Sequence, residues 1–238
     1  DLGMKTAGGF GQYISVPSEW AVPLPLGMTM QESMILGTAG LTAGMSVLRL
    51  AELVQPAEGD IVVSGATGGV GSLSIAILAK LGYHIAAISG KQHEHDFLRE
   101  LGTSDIIARQ DFQQEQSSPF LKARFAGGID TVGGPILENI IKSTGPMGVV
   151  TCCGNAASAG LNLTVYPFIL RGITLIGIDS QNYPMPFRKI VWKKLANEWK
   201  PDRLMELYSE ISLDTLSDSI DMMLAGELNG RTIVNLES

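Results

Sequence analysis

Between positions 60 and 178 the chain repeats one pattern: six short, mostly apolar, β-rich runs, each joined to the next through a turn and a helical stretch. The runs fall at residues 61–63, 85–88, 106–108, 129–132, 149–152 and 173–178, and the helical stretches between them at 72–81, 94–101, 119–125, 136–143 and 166–170. A strand with one wet face would alternate polar and apolar residues. Continuous apolar runs instead belong to strands covered on both sides, and no hairpin turn joins one run to the next. The pattern therefore predicts an α/β fold with a doubly wound parallel sheet.

The turn after the first run reads Gly65-Ala66-Thr67-Gly68-Gly69-Val70-Gly71. Against the G-x-G-x-x-G template, Ala66 stands at the first glycine and Gly68 and Gly71 match the other two. Glycines here let backbone amides and a helix N-terminus approach a pyrophosphate that side chains would keep away. A purely structural glycine turn is the competing reading. Placement between strand and helix inside a six-strand series favours a dinucleotide. An NAD-binding chain needs a carboxylate about 20 residues on, for the ribose diol. That place reads Ser89-Gly90-Lys91, which suits a 2′-phosphate; a solvated surface lysine is the bland alternative. Glu94 and Asp96 read as acids in a helix's first turn.

Composition narrows the partners. With 24 acidic and 17 basic residues the net charge is −7, which argues against nucleic acid held by bulk charge. No apolar run reaches about 18 uninterrupted residues, so no membrane span is expected. The two cysteines are adjacent, Cys152 and Cys153, and fit two inert thiols in a reducing compartment, hence a cytoplasmic location. The chain opens on Asp1, so the lack of a signal peptide says little.

Outside the repeat, residues 10–16 alternate like a strand and end at Pro17. Residues 23–27 form a turn-rich connector, and 30–54 form a helical region in which Gly37, Gly40 and Gly44 permit close packing. Residues 187–199 place Phe187, Ile190, Val191, Leu195 and Trp199 on one helical face. A second amphipathic helix covers 216–224, and 232–236 closes as a strand. The divisions expected are 1–30, the end of an incomplete catalytic portion; 31–181, the nucleotide domain; and 182–238, a return to the catalytic domain.

Together the Gly-Ala-Thr-Gly-Gly-Val-Gly turn, Ser89-Gly90-Lys91, Ile129-Asp-Thr-Val-Gly-Gly134 and Pro167-Phe-Ile-Leu-Arg-Gly172 resemble the acryloyl-CoA reductase and quinone oxidoreductase branch of the medium-chain dehydrogenase/reductases. The likeness runs from Gly8-Gly9-Phe10 to Gly230-Arg231-Thr232. It implies a Rossmann domain joined to part of a GroES-like catalytic domain, and NADPH as cofactor. Thr67, Gly68, Gly69 and Val70 would face the pyrophosphate. Ser89, Gly90, Lys91 and Arg109 would face the 2′-phosphate, and Ser180 and Arg231 would lie near the cofactor. The family's substrate-facing polar residues lie in a portion expected upstream of Asp1, so no catalytic residue is assigned. Thr38 stands where zinc-dependent relatives carry a cysteine, so no metal is expected. His93 and His95 read as the polar start of a helix. No Gly-x-Ser-x-Gly elbow is present, and Cys153 has nothing beside it to activate a thiol.

The resemblance implies reduction of an activated carbon–carbon double bond, acryloyl-CoA first, with a quinone or enone as the alternative and a non-catalytic NADPH-binding protein as the rival class. Coenzyme A would need a local basic surface, for which Arg188, Lys189, Lys193 and Lys194 are candidates. Pairing of the edge strand 173–178 implies a homodimer.

Overall fold

The structure, a computed structural model, describes residues 3, 6 and 8–236. Its centre is a parallel sheet of β1 (Asp60–Val63), β2 (Ile85–Ser89), β3 (Asp105–Ala108), β4 (Phe125–Asp130), β5 (Thr144–Cys152) and β6 (Thr174–Gly177), ordered β3-β2-β1-β4-β5-β6. That order winds outward in both directions from β1, the Rossmann arrangement, and leaves a crevice between the carboxyl ends of β1 and β4. Two apolar layers flank the sheet. One is built around α1 (Met30–Ala51) and α2 (Gly69–Lys80), with Leu36, Met45, Ile61, Leu73 and Ile85 inside. The other lies under Val62, Ile88, Ile140 and Val150.

The remaining helices are α3 (His95–Glu100), α4 (Arg109–Phe112), α5 (Gly134–Ser143), α6 (Tyr166–Arg171), α7 (Met185–Ala196) and α8 (Leu216–Leu224). After α7 the chain forms β7 (Tyr208–Ser212) and β8 (Arg231–Asn235), a separate parallel pair.

At 22 residues, α1 is long and apolar enough to cross a membrane, although polar residues interrupt its apolar sequence. Here it is a core helix, mostly buried, opened by a capping box between Thr29 and Glu32. A Cβ on Gly44 would stand 2.6 Å from Val191, so this glycine sets the approach of α7. Gly37 acts differently: at φ 49° and ψ −150° it breaks the helix.

Three sequence expectations are corrected. Residues 10–16 form no strand, because no neighbouring strand takes up their backbone groups, and Tyr13 is almost fully exposed. Residues 119–125 form no helix. Leu121 and Arg124 donate their N–H groups to the carbonyls of Lys142 and Ser143, and the chain runs extended into β4. The third crossover's helix is the single turn α4 instead. On α7, Val191 and Leu195 are buried, as is Trp199 in the turn that follows, whereas Phe187 and Ile190 are about half exposed. Two elements gave no readable sequence signal, α4 and β7.

Candidate dinucleotide site

The crevice is a cleft of about 1010 Å³, bordered by the glycine turn, the end of β2, and the chain entering β8. Its size lies at the upper end of small-molecule sites, roughly 300–1,000 Å³.

The floor is set by hydrogen bonds between β1 and β4. Ser64 donates its hydroxyl to Asp130 at 2.6 Å, and the Thr131 N–H donates back to the Ser64 hydroxyl at 2.9 Å. Thr131 also donates its hydroxyl to the Ser64 carbonyl at 3.1 Å. Burial pushes the Asp130 carboxyl above the usual carboxylate range, against the pull of Ser64 and the N–H groups of Gly133 and Val132. The tight turn belongs to Gly65, one position earlier than the template suggested, at φ 58°. A methyl at Gly71 would overlap the Gly65 carbonyl, so this glycine holds helix and strand together. Gly68 caps α2 with no side chain. The first-turn amides and the positive end of the helix are thereby left free for an anion. Thr67, Gly68 and Gly69 line the cleft, while the Val70 side chain packs against the core and leaves only its amide for a ligand.

At the end of β2 the sequence-named group comes together. Ser89 pairs with Ala108 across β2 and β3, which brings Arg109 beside Gly90. A Cβ on Gly90 would stand 2.7 Å from the Arg109 guanidinium carbon, so the arginine plane lies over a bare α-carbon. The Lys91 N–H donates to the Ser89 hydroxyl at 3.1 Å. Partial burial pulls the Lys91 ammonium below its usual range, with Arg109 adding to this and Glu94 and Glu227 opposing it. Two cations, a hydroxyl and a bare backbone make a cradle for a dianion.

Arg231 closes the opposite side. Its Nε donates to the Ile35 carbonyl at 2.9 Å, where the break at Gly37 interrupts the helix. A Cβ on Gly69 would stand 2.9 Å from its Nη1. This half-buried cation therefore sits at the start of α2, beside the amides left free for an anion, and partial burial pulls its pKa down.

Ser180 does not join the cleft. Its carbonyl accepts from Arg188 at 2.6 Å, and the loop holding it lies past β6 at the sheet edge. Ligands gather at the switch point between β1 and β4, and β6 stands two strands beyond β4 at the end of the sheet order. The α7 cations are also partly committed. Arg188 donates to the carbonyls of Ser180, Gln181 and Tyr183, and Lys194 pairs with Glu198 over the Trp199 ring. Lys189 and Lys193 are the exposed members. Burial, together with the nearby Asp130, pushes the Cys153 thiol up to about 12, an unreactive setting. Among the described residues no group of three or more His, Cys, Asp and Glu is placed to hold a metal.

Sequence reasoning passed over Thr131, Pro135, Ala156 and Ala157, which line the cleft from β4 onward. Only Thr131 carried a signal, as part of the Asp-Thr-Val-Gly-Gly motif.

Comparison with known proteins agrees with this geometry. Residues 69–197 match the family described as zinc-binding dehydrogenase. The chain is 37% identical to acrylyl-CoA reductase AcuI of Ruegeria pomeroyi over 232 residues, 97% of this chain and 70% of that protein. It is 38% identical to YhfP of Bacillus subtilis, whose name assigns it provisionally to the quinone oxidoreductases, over 99% of this chain and 72% of that one. The crystal structure of YhfP with NAD bound superposes with a TM-score of 0.96, covering 99% of this chain and 72% of that one. The Salmonella enterica yhdH oxidoreductase in complex with NADP, 38% identical, gives 0.93 over 96% of this chain and 70% of that one. The chain belongs to the medium-chain dehydrogenase/reductase superfamily, in the branch of the acryloyl-CoA reductases and quinone oxidoreductases.

Proposed function

We propose that this chain binds NADPH and serves an oxidoreductase that reduces an activated carbon–carbon double bond, acryloyl-CoA being the favoured substrate. The observation that carries the reading is the convergence of Ser89, Lys91 and Arg109 at the end of β2, where an NAD-binding strand would present a carboxylate. When bound, the nicotinamide supplies a hydride. The chain's own part is to fix the dinucleotide at both phosphate positions, with Arg231 and the α2 amides at one and Lys91 with Arg109 at the other. Residues 31–181 form the cofactor domain in this reading, and 182–238 return to a catalytic domain. The substrate class rests on the AcuI likeness, with Lys189 and Lys193 as the exposed cations for a phosphorylated carrier. A quinone or enone is the alternative acceptor, in line with the likeness to YhfP. Two unbridged vicinal thiols fit a reducing, cytoplasmic setting.

The experiment is a screen that follows NADPH and NADH absorbance with acryloyl-CoA, enones and quinones. Wild-type protein should prefer NADPH by about one to two decades, the worth of one charge-assisted contact. Ser89→Asp should reverse that preference. Equal use of both cofactors would remove the basis of the reading, and turnover of no acceptor would leave a binding protein.

A homodimer is part of the same proposal. β6 ends the sheet order half exposed, and Ile169 and Leu170 of α6 are about two-thirds exposed. An apolar strand edge beside apolar side chains suits a two-fold pairing. Light scattering at micromolar concentration should return twice the chain mass, and a monomer would refute it.

A further inference from the structure

The segment entering β8 runs along the mouth of the cleft as a strap. At one end the Gly230 N–H donates to the Thr67 carbonyl at 2.8 Å, and Arg231 reaches the Ile35 carbonyl. At the other end the Lys91 ammonium donates to the Leu228 carbonyl at 2.9 Å and to Asn229 Oδ1 at 2.7 Å. An ammonium has three N–H donors, so two are held by the strap and one remains for a ligand. A free lysine gives up much rotamer freedom when it grips an anion, and two fixed acceptors remove that freedom beforehand. The chemistry of position 229 matters here. An amide oxygen holds the ammonium and leaves its charge intact, whereas a carboxylate would neutralise it and repel a phosphate.

We propose that Asn229, with the Leu228 carbonyl, is a positioning residue that presents Lys91 to the 2′-phosphate. Cofactor choice is then set partly from outside the nucleotide-binding sheet. The same contacts work in reverse, since a phosphate bound to Lys91 fastens the strap over the cleft. This inference rests on the reading of Ser89, Lys91 and Arg109 as the phosphate cradle.

The test is a four-protein cycle of the full chain: wild type, Lys91→Ala, Asn229→Ala and the double variant. Calorimetry reads the dissociation constants for NADP⁺, NAD⁺ and adenosine 2′,5′-bisphosphate. Lys91→Ala should weaken NADP⁺ and the bisphosphate about tenfold, leaving NAD⁺ within about twofold. Asn229→Ala should weaken the same two ligands by roughly three- to tenfold and spare NAD⁺. The double variant should be no weaker than Lys91→Ala, because the two residues act as a unit. The isosteric Asn229→Asp, which keeps the strap's shape, should lose more NADP⁺ affinity than Asn229→Ala. If Asn229→Ala weakens both dinucleotides alike, or its effect adds in full to that of Lys91→Ala, the inference falls and the phosphate cradle stands. If Lys91→Ala itself fails to discriminate, the cradle falls and the inference with it.

Discussion

The six-stranded sheet and the segment from β7 to β8 are held in place by different physics. All five residues of β2 are buried, and α5 buries Ile136, Leu137, Ile140 and Ile141. In contrast, α8 buries no residue and exposes Met223 and Leu224, while every residue of β8 is only half covered. Each fully buried aliphatic side chain contributes roughly 1.5–3 kcal/mol, so the sheet is stabilised by many redundant contacts. The C-terminal segment is fixed mainly at polar points: Lys91 on Leu228 and Asn229, Gly230 on Thr67, and Arg231 on Ile35. A region held at points is sensitive to single residues, and those points are also walls of the cleft.

The largest effect is expected inside the sheet, where packing leaves no slack. Gly71→Ala drives a methyl into the Gly65 carbonyl, and both atoms belong to backbone that cannot yield. A loss of about 3 kcal/mol or more should follow, by analogy with severe overpacking, seen as a fall in Tm together with loss of dinucleotide binding. A fall of only a degree or two would mean that the turn is more compliant than described.

The second effect separates the regions. Arg231→Met keeps the bulk and removes the donor, leaving the Ile35 carbonyl without its partner at a cost of about 1–3 kcal/mol. Hydrogen exchange should show β7 and β8 opening while β1, β2 and β4 keep their protection. Uniform loss of protection would erase the distinction between the two regions.

The smallest effect concerns the seam between them, where Glu32 of α1 pairs with Lys200 after α7. The hydrogen bond from Lys200, with help from Thr29, holds the Glu32 carboxyl below its ordinary value of 4.5. A depressed carboxyl adds stability that is present above its unfolded value and lost as pH falls through the folded one. Glu32→Gln keeps an acceptor for the Thr29 N–H and should therefore cost only about 0.2–1 kcal/mol near pH 7, the worth of the ion pair. The difference in Tm should close below pH 4.5, and a gap constant with pH would point to packing instead.

Much of this was legible because burial on both faces forces apolar runs, and so the six strands could be read directly. β4 was read too short at its start because Gly127 and Gly128 carry no hydrophobic signal. They are glycines for the same reason that β4 is central: a Cβ on Gly127 would meet the Val149 carbonyl at 2.6 Å, and one on Gly128 would meet Ile140 at 2.8 Å. The cradle at Ser89, Gly90, Lys91 and Arg109 was legible because neighbouring strand ends obey the sheet order. Ser180 was named by the same rule, but it follows β6, two strands beyond β4, and does not line the cleft. The partnership of Lys91 with Asn229 spans 138 positions and leaves no local pattern. Arg171 was read only as part of a family motif. Its guanidinium ties the carbonyls of Leu121, Lys142 and Thr144 and lies over Phe120, so that motif marks the scaffold and not the chemistry.

Arg231 and Ile35 stand 196 positions apart in the chain. At ribosomal speeds of about 5–20 residues per second, the helix broken at Gly37 waits on the order of 10–40 s for the side chain that satisfies it. During that interval the glycine turn and α2 are already made, but the cleft has only one wall. A nascent chain of this sequence can thus finish its sheet before it can grip a dinucleotide, and ligand capture becomes a late event in its biogenesis.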